Sequence, residues 1–192
     1  MRDKDQILLE NIVTEVIVEP YEYEWTEQTQ KWWNGYFKTE NDTGIKVSIT
    51  NDWGGNHWEI IFSTDIEDKS DRDLAFIRQD TGNPFKVFKT VHIMLDEFLQ
   101  NKKSNVDFIE FRAEKENQST SKDSRVILYN RFIKNWEKYF KGNWSKAIVS
   151  DTSEIEVCYF IINNDNKNAV DKFKEYFKRN YKYEDNINLK WI

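Results

Sequence analysis

The chain has 192 residues, 39% of them hydrophobic and 16% aromatic, including 8 Trp. That is enough apolar material for one packed domain over 1–192, so the mean hydropathy of −0.82 does not signal disorder. With 34 acidic and 28 basic residues the net charge is −6, which argues against a general nucleic-acid-binding surface. One cysteine, Cys158, excludes an intrachain disulfide; with only His57 and His92 beside it, a Cys/His zinc site is not expected and no metal is assigned. No apolar run reaches bilayer length and no cleavable leader is recognisable, so no membrane contact is expected and an intracellular location is the default.

Residues 5–18 place Leu8 or Leu9, Ile12, Val13 and Val16 on one face, the pattern of an amphipathic helix that Pro20 stops; within 1–19 this helix stands at the periphery of the domain. From Tyr21 the period changes to two, with Tyr21, Tyr23 and Trp25 alternating against Glu22, Glu24 and Thr26. Further strands are expected over 31–39, 45–50 and 57–64, joined by turns at Asn41-Asp42-Thr43-Gly44 and Asn51-Asp52-Trp53-Gly54-Gly55-Asn56. Together they read as an antiparallel meander.

A charged loop, 65–73, leads to the polar stretch RQDTGNP and a helix from Phe85 to about Gln100, whose Phe88, Val91, Leu95 and Phe98 recur at helical spacing. Pro84 suits the first turn of that helix. The strand over 106–113 is apolar on both faces, as in a strand covered on both sides. A second helix is expected over 124–140 with Val126, Tyr129, Ile133, Trp136 and Phe140 on one stripe, ended by Gly142. A hairpin over 144–162 follows, and within 165–192 a C-terminal helix, 169–181, carries Val170, Phe173 and Phe177 inward before a tail. The fold class is α+β, a mostly antiparallel central sheet flanked by helices.

The stretch from Arg78 to Tyr129 resembles the acetyl-CoA-binding half of the GNAT-type N-acyltransferases. Their order of strand meander, helix, strand, helix and hairpin is similar, and Gln79-Asp80-Thr81-Gly82-Asn83-Pro84 matches the family's pyrophosphate loop at Gln79 and Gly82. It departs at Pro84, which lacks a donor, and at Asp80, which puts a carboxylate near the phosphates. The resemblance implies acetyl-CoA as cofactor, held by Arg78, Gln79, Gly82, Asn83 and Lys86, with Lys89 nearby, because backbone N–H groups at a helix start bind phosphate. It implies Tyr129 as the acid toward the departing thiolate; read from the residues alone, Tyr129 is equally a core position of its helix stripe. For an amine acceptor the base would be Glu59 or Glu110, with Glu59 ranked first, and either also reads as an ordinary surface carboxylate. His57, at a strand start, is expected in solvent, His92 on a helix flank, and Arg125 in a surface ion pair or on a phosphate.

The succession TGNPFKVFKTV, IEFRAEK and SRVILYNRF is also similar to a group of small bacteriophage proteins of unsettled activity. That similarity implies a viral protein in the host cytoplasm, in the virion or outside it. Two functions follow: an acyltransferase acting on an amine acceptor, or a non-catalytic phage protein that binds a phage or host partner. The second is favoured by Pro84, Asp80, Arg125 and an aromatic surface candidate in Trp32-Trp33 and Trp53 to Trp58, since exposed aromatics favour interfaces.

Overall fold

The computed structural model describes residues 18–51, 54–64, 83–114, 133–151, 156–181 and 187–192. Eight strands form one mixed sheet: β1 (Tyr23–Gln28), β2 (Trp32–Lys38), β3 (Gly44–Thr50), β4 (His57–Thr64), β5 (Phe108–Glu114), β6 (Trp144–Asp151), β7 (Glu156–Asn163) and β8 (Ile187–Trp191). Their order is β1-β2-β3-β4-β5-β7-β6-β8. Every neighbouring pair is antiparallel except β4 and β5, which run parallel from His57↔Phe108 to Ile60↔Phe111. A parallel pair needs a crossover; the described part of this one is helix α1 (Pro84–Lys102) with a short 3₁₀ turn at Lys103–Asn105.

The helix-flanked, mostly antiparallel GNAT-like arrangement expected from the sequence is therefore corrected. The protein is chiefly one eight-stranded mixed sheet, with three α-helices among the described residues: α1, the four-residue α2 (Trp136–Tyr139) and α3 (Ala169–Tyr181). Of the helix expected over 124–140, residues 124–132 lie outside the described residues; α2 sets the tilted rings of Trp136 and Phe140 4.1 Å apart, with Trp136 6.1 Å from Phe111 of the sheet. The tail after α3 becomes a strand, β8, antiparallel to β6, with Trp191 against Phe173 at 5.6 Å. The N-terminal helix expected over 5–18 lies outside the described residues from 5 to 17.

Alternation decides which side chains each face receives. On one face Trp33, Phe37, Val47, Ile49, Trp58, Ile60, Ile109, Phe111 and Ile161 form a core with Val87, Val91, Met94, Leu95 and Phe98 of α1. On the other, Phe108, Ala147, Val149, Cys158, Phe160 and Ile162 pack with Phe173 and Tyr176 of α3. Helix α1 starts cleanly because the Asn83 side chain accepts from Phe85 N at 3.0 Å and Pro84 has no donor to satisfy. It is tied to the first strand by Glu97, which accepts from Trp25 Nε1 at 2.7 Å and Tyr23 OH at 3.0 Å. Burial and that bond push the Tyr23 phenol up to about 12.

The start of β5 is fixed by two asparagines that follow β7 or end it. Fully buried Asn163 donates through Nδ2 to Lys103 O and Val106 O, both at 3.1 Å, and Asn166 donates to Val106 O at 2.8 Å. Asp107 N in turn donates to Asn56 O at 2.8 Å. The turns before β4 and before β5 are thereby locked side by side. Asn163→Ala removes donors from buried carbonyls and is expected to lower stability by about 1–3 kcal/mol in urea denaturation, with Asn163→Asp no better because a carboxylate cannot donate.

Candidate functional site

Parallel strands that begin side by side bring their first residues together. His57 opens β4 and Phe108 opens β5 on the same rung, and two residues further on Glu59 stands opposite Glu110. Side chains on one rung share a face, here the face that α3 covers. α3 adds Tyr176, one turn after Phe173 on its buried stripe. His57 stacks on the Phe108 ring at 4.5 Å and meets the edge of Tyr176 at 4.5 Å.

Glu110 is completely buried and His57 is 4% exposed. His57 Nε2 lies 3.1 Å from Glu110 Oε2, and Tyr176 OH donates to the same oxygen at 3.0 Å. With Glu110 ionised, its oxygen can only accept, and the bond then requires the proton on Nε2. His57 Nδ1 is buried without a hydrogen-bond partner among the described residues. A second polar pair lies further along this face, where Tyr181 OH reaches Cys158 Sγ at 3.8 Å. Burial, then the neighbouring Cys158, Glu110 and Tyr176, raises the Tyr181 phenol far above its ordinary range.

Above this cluster a pocket of about 440 Å³ opens between α3 and the turn Gly54-Gly55-Asn56, with Asp107, Lys172, Glu175 and Arg179 among its lining. Gly54 and Gly55 take φ of 75° and 68°, the left-handed region that favours glycine, and a Cβ on either would meet nothing within 4 Å. Their requirement is conformational, so this wall of the pocket is bare backbone. Lys172 Nζ is 2.6 Å from Asp107 Oδ2, whose side chain is 4% exposed. Glu175 and Arg179 are exposed and form no ion pair among the described residues.

The expected residues are distributed otherwise. Arg78, Gln79, Gly82, Arg125 and Tyr129 lie outside the described residues. Asn83 donates its N–H to Glu40 Oε1 at 2.9 Å, a carboxylate that also accepts from Tyr21 OH, and its side chain caps α1. Lys86 Nζ lies 4.4 Å from the centre of the Tyr21 ring. Both are at the opposite end of the β4/β5 seam from the pocket. Glu59 and Glu110 are brought together, but Glu110, ranked second, is the buried one, and His57, expected in solvent, is interior. Of the aromatic surface candidate only Trp32 is exposed, at 44%; Trp33 and Trp58 are core, and Trp53 is outside the described residues. Tyr176 was missed altogether as a polar residue. Its signal was present: a phenol at an inward position of a helix whose other inward residues are apolar.

Among the described residues no group of three or more His, Cys, Asp or Glu is arranged to hold a metal ion, and no helix is long and apolar enough to cross a membrane. No protein-family model, curated protein or solved structure matches the chain, so neither the acyltransferase nor the bacteriophage resemblance gains a relative.

His92 contrasts with His57. It packs edge-on to Phe140 at 4.9 Å. Burial, with the charge of Lys89 adding and that of Asp96 opposing, lowers its pKa from 6.5 to about 4. The unfolded chain then binds this proton first, so His92 makes stability fall as pH drops from about 6.5 toward 4. Melting temperatures measured across that window are expected to decline less steeply in His92→Gln than in the native chain.

Proposed function

We propose that the pocket between α3 and the β4/β5 seam binds a small polar molecule and exchanges a proton with it through His57. The observation that carries this reading is the buried His57-Glu110-Tyr176 array, with His57 in the pocket lining and its Nδ1 buried and unpartnered among the described residues. An interior carboxylate is costly unless it is bonded, and an apolar side chain would fill its place more cheaply if packing were the only demand. A proton arriving at Nδ1 from a ligand N–H or O–H would create an imidazolium that Glu110 stabilises across 3.1 Å, while Tyr176 holds the carboxylate in place. The bond broken is the ligand's own N–H or O–H, and the deprotonated ligand is left to react.

Nitrogen-detected NMR of the imidazoles tests this directly, with His92→Gln used to assign the two signals. Neutral His57 is expected as the Nε2–H tautomer, and Glu110→Leu, which removes the acceptor, is expected to release that preference toward a mixture with the Nδ1–H form. An Nδ1–H tautomer in the native chain, or a tautomer ratio unchanged by Glu110→Leu, would refute the acid–base role.

A second reading, transfer of an acyl group from acetyl-CoA to an amine, is supported by one feature of the seam. Pairing of β4 with β5 stops at Ile60 and Phe111, after which β4 follows β3 to Thr64 and β5 follows β7 to Glu114. Parallel strands that part at their carboxyl ends leave a crevice of the kind ligands use, with Glu59 and Glu110 one rung before it. Millimolar acetyl-CoA is expected to raise the melting temperature if this crevice takes the cofactor; an unchanged melting temperature removes this reading and leaves the His57 proposal in place.

A further inference from the structure

We infer that the ligand of the His57 pocket is an amino-acid-sized zwitterion, a molecule with one cationic nitrogen and one carboxylate a few ångströms apart. The inference rests on reading that pocket as a ligand site and adds the class of molecule. Its argument is one of charge complementarity. The lining carries two acids and two bases, Asp107, Glu175, Lys172 and Arg179. Asp107 and Lys172 satisfy each other at 2.6 Å. What remains is one carboxylate, Glu175, one guanidinium, Arg179, and the buried, unpartnered Nδ1 of the lining residue His57.

Glu175 and Arg179 are four residues apart on α3, so about 6 Å along its axis, and stand on the same side of the helix. A simple anion would satisfy Arg179 and be repelled by Glu175; a simple cation would do the reverse. A molecule bearing both charges meets both, and its ammonium supplies the N–H donor that an imidazole lone pair accepts. The guanidinium fork suits the two oxygens of a carboxylate. The pocket volume of about 440 Å³ is at the small-ligand end of the usual range of about 300–1,000 Å³. Phe108 and Tyr176 give it an apolar flank, and the Gly54-Gly55 turn leaves backbone room for a side chain.

The full chain would be titrated with the common L-amino acids singly, and with ethylamine and propionate, which are alanine without its carboxylate and without its amine. The His57 imidazole signal and the melting temperature are the readouts. At least one amino acid is expected to shift the His57 signal at a concentration about tenfold below either monofunctional probe. Arg179→Gln and Glu175→Gln, both exposed positions that leave the core intact, are each expected to weaken that response about tenfold. Equal potency of ethylamine or propionate, or no response to any amino acid at tens of millimolar, would overturn the zwitterion assignment. Either result leaves the tautomer of His57 to be judged separately, so the two failures are distinguishable.

Discussion

Among the described residues, the meander β1–β4 pairs with the antiparallel block of β5, β7, β6 and β8 through four parallel rungs alone, His57–Ile60 against Phe108–Phe111. A parallel ladder is slightly weaker per residue than an antiparallel one, so this is the place where the sheet most needs support from its two faces. It receives it from both. Trp58, Ile60, Ile109 and Phe111 carry the seam into the α1 core, and Phe108 carries it into the α3 core. Asn163 and Asn166 fix where β5 begins, and with it the register of all four rungs.

That dependence explains why a carboxylate in the seam is tolerated and why it is informative. Glu110 occupies the third rung, on the mostly apolar face that α3 covers, where an unbonded charge would oppose folding. The donors that rescue it come from far along the chain: His57 from the neighbouring strand and Tyr176 from a helix laid down after the last central strand. The array can form only when β4, β5 and α3 are all in place. Structural completion and chemical competence at His57 are thus one event.

The contrast between what the sequence conveys and what it conceals follows from range. Period-two alternation at 32–38, 44–50 and 57–64 and the stripe Val91, Leu95 and Phe98 are local, and β2, β3, β4 and α1 lie where those patterns put them. The parallel seam, the position of β7 between β5 and β6, and the recruitment of residues 187–191 into the sheet are pairings between distant segments, which no local period specifies. The site is of that second kind: 53 residues separate His57 from Glu110 and 66 separate Glu110 from Tyr176. Besides the inward phenol of Tyr176, the local hint was Glu110 inside the strand FIEFRAE, where a solvent-facing carboxylate needed an exposed face that a doubly covered strand does not have. His57 was misjudged because a strand's first residue is usually near solvent, whereas here Phe108 and Tyr176 enclose it.

One of the two edge strands of the described sheet, β1, is built so that a second chain pairs with it poorly. In β1 the register against β2 slips between Trp25 and Glu27, and the solvent-side positions include Glu24, Thr26 and Gln28. A ladder broken by such a slip offers another chain only short runs of matched donors and acceptors, and the acidic side chains repel a second copy of the same edge. The other edge, β8, pairs with β6 without such a slip and carries the exposed Trp191, so the irregularity at Trp25–Glu27 limits strand addition at one edge of the described sheet and leaves the other to its short length.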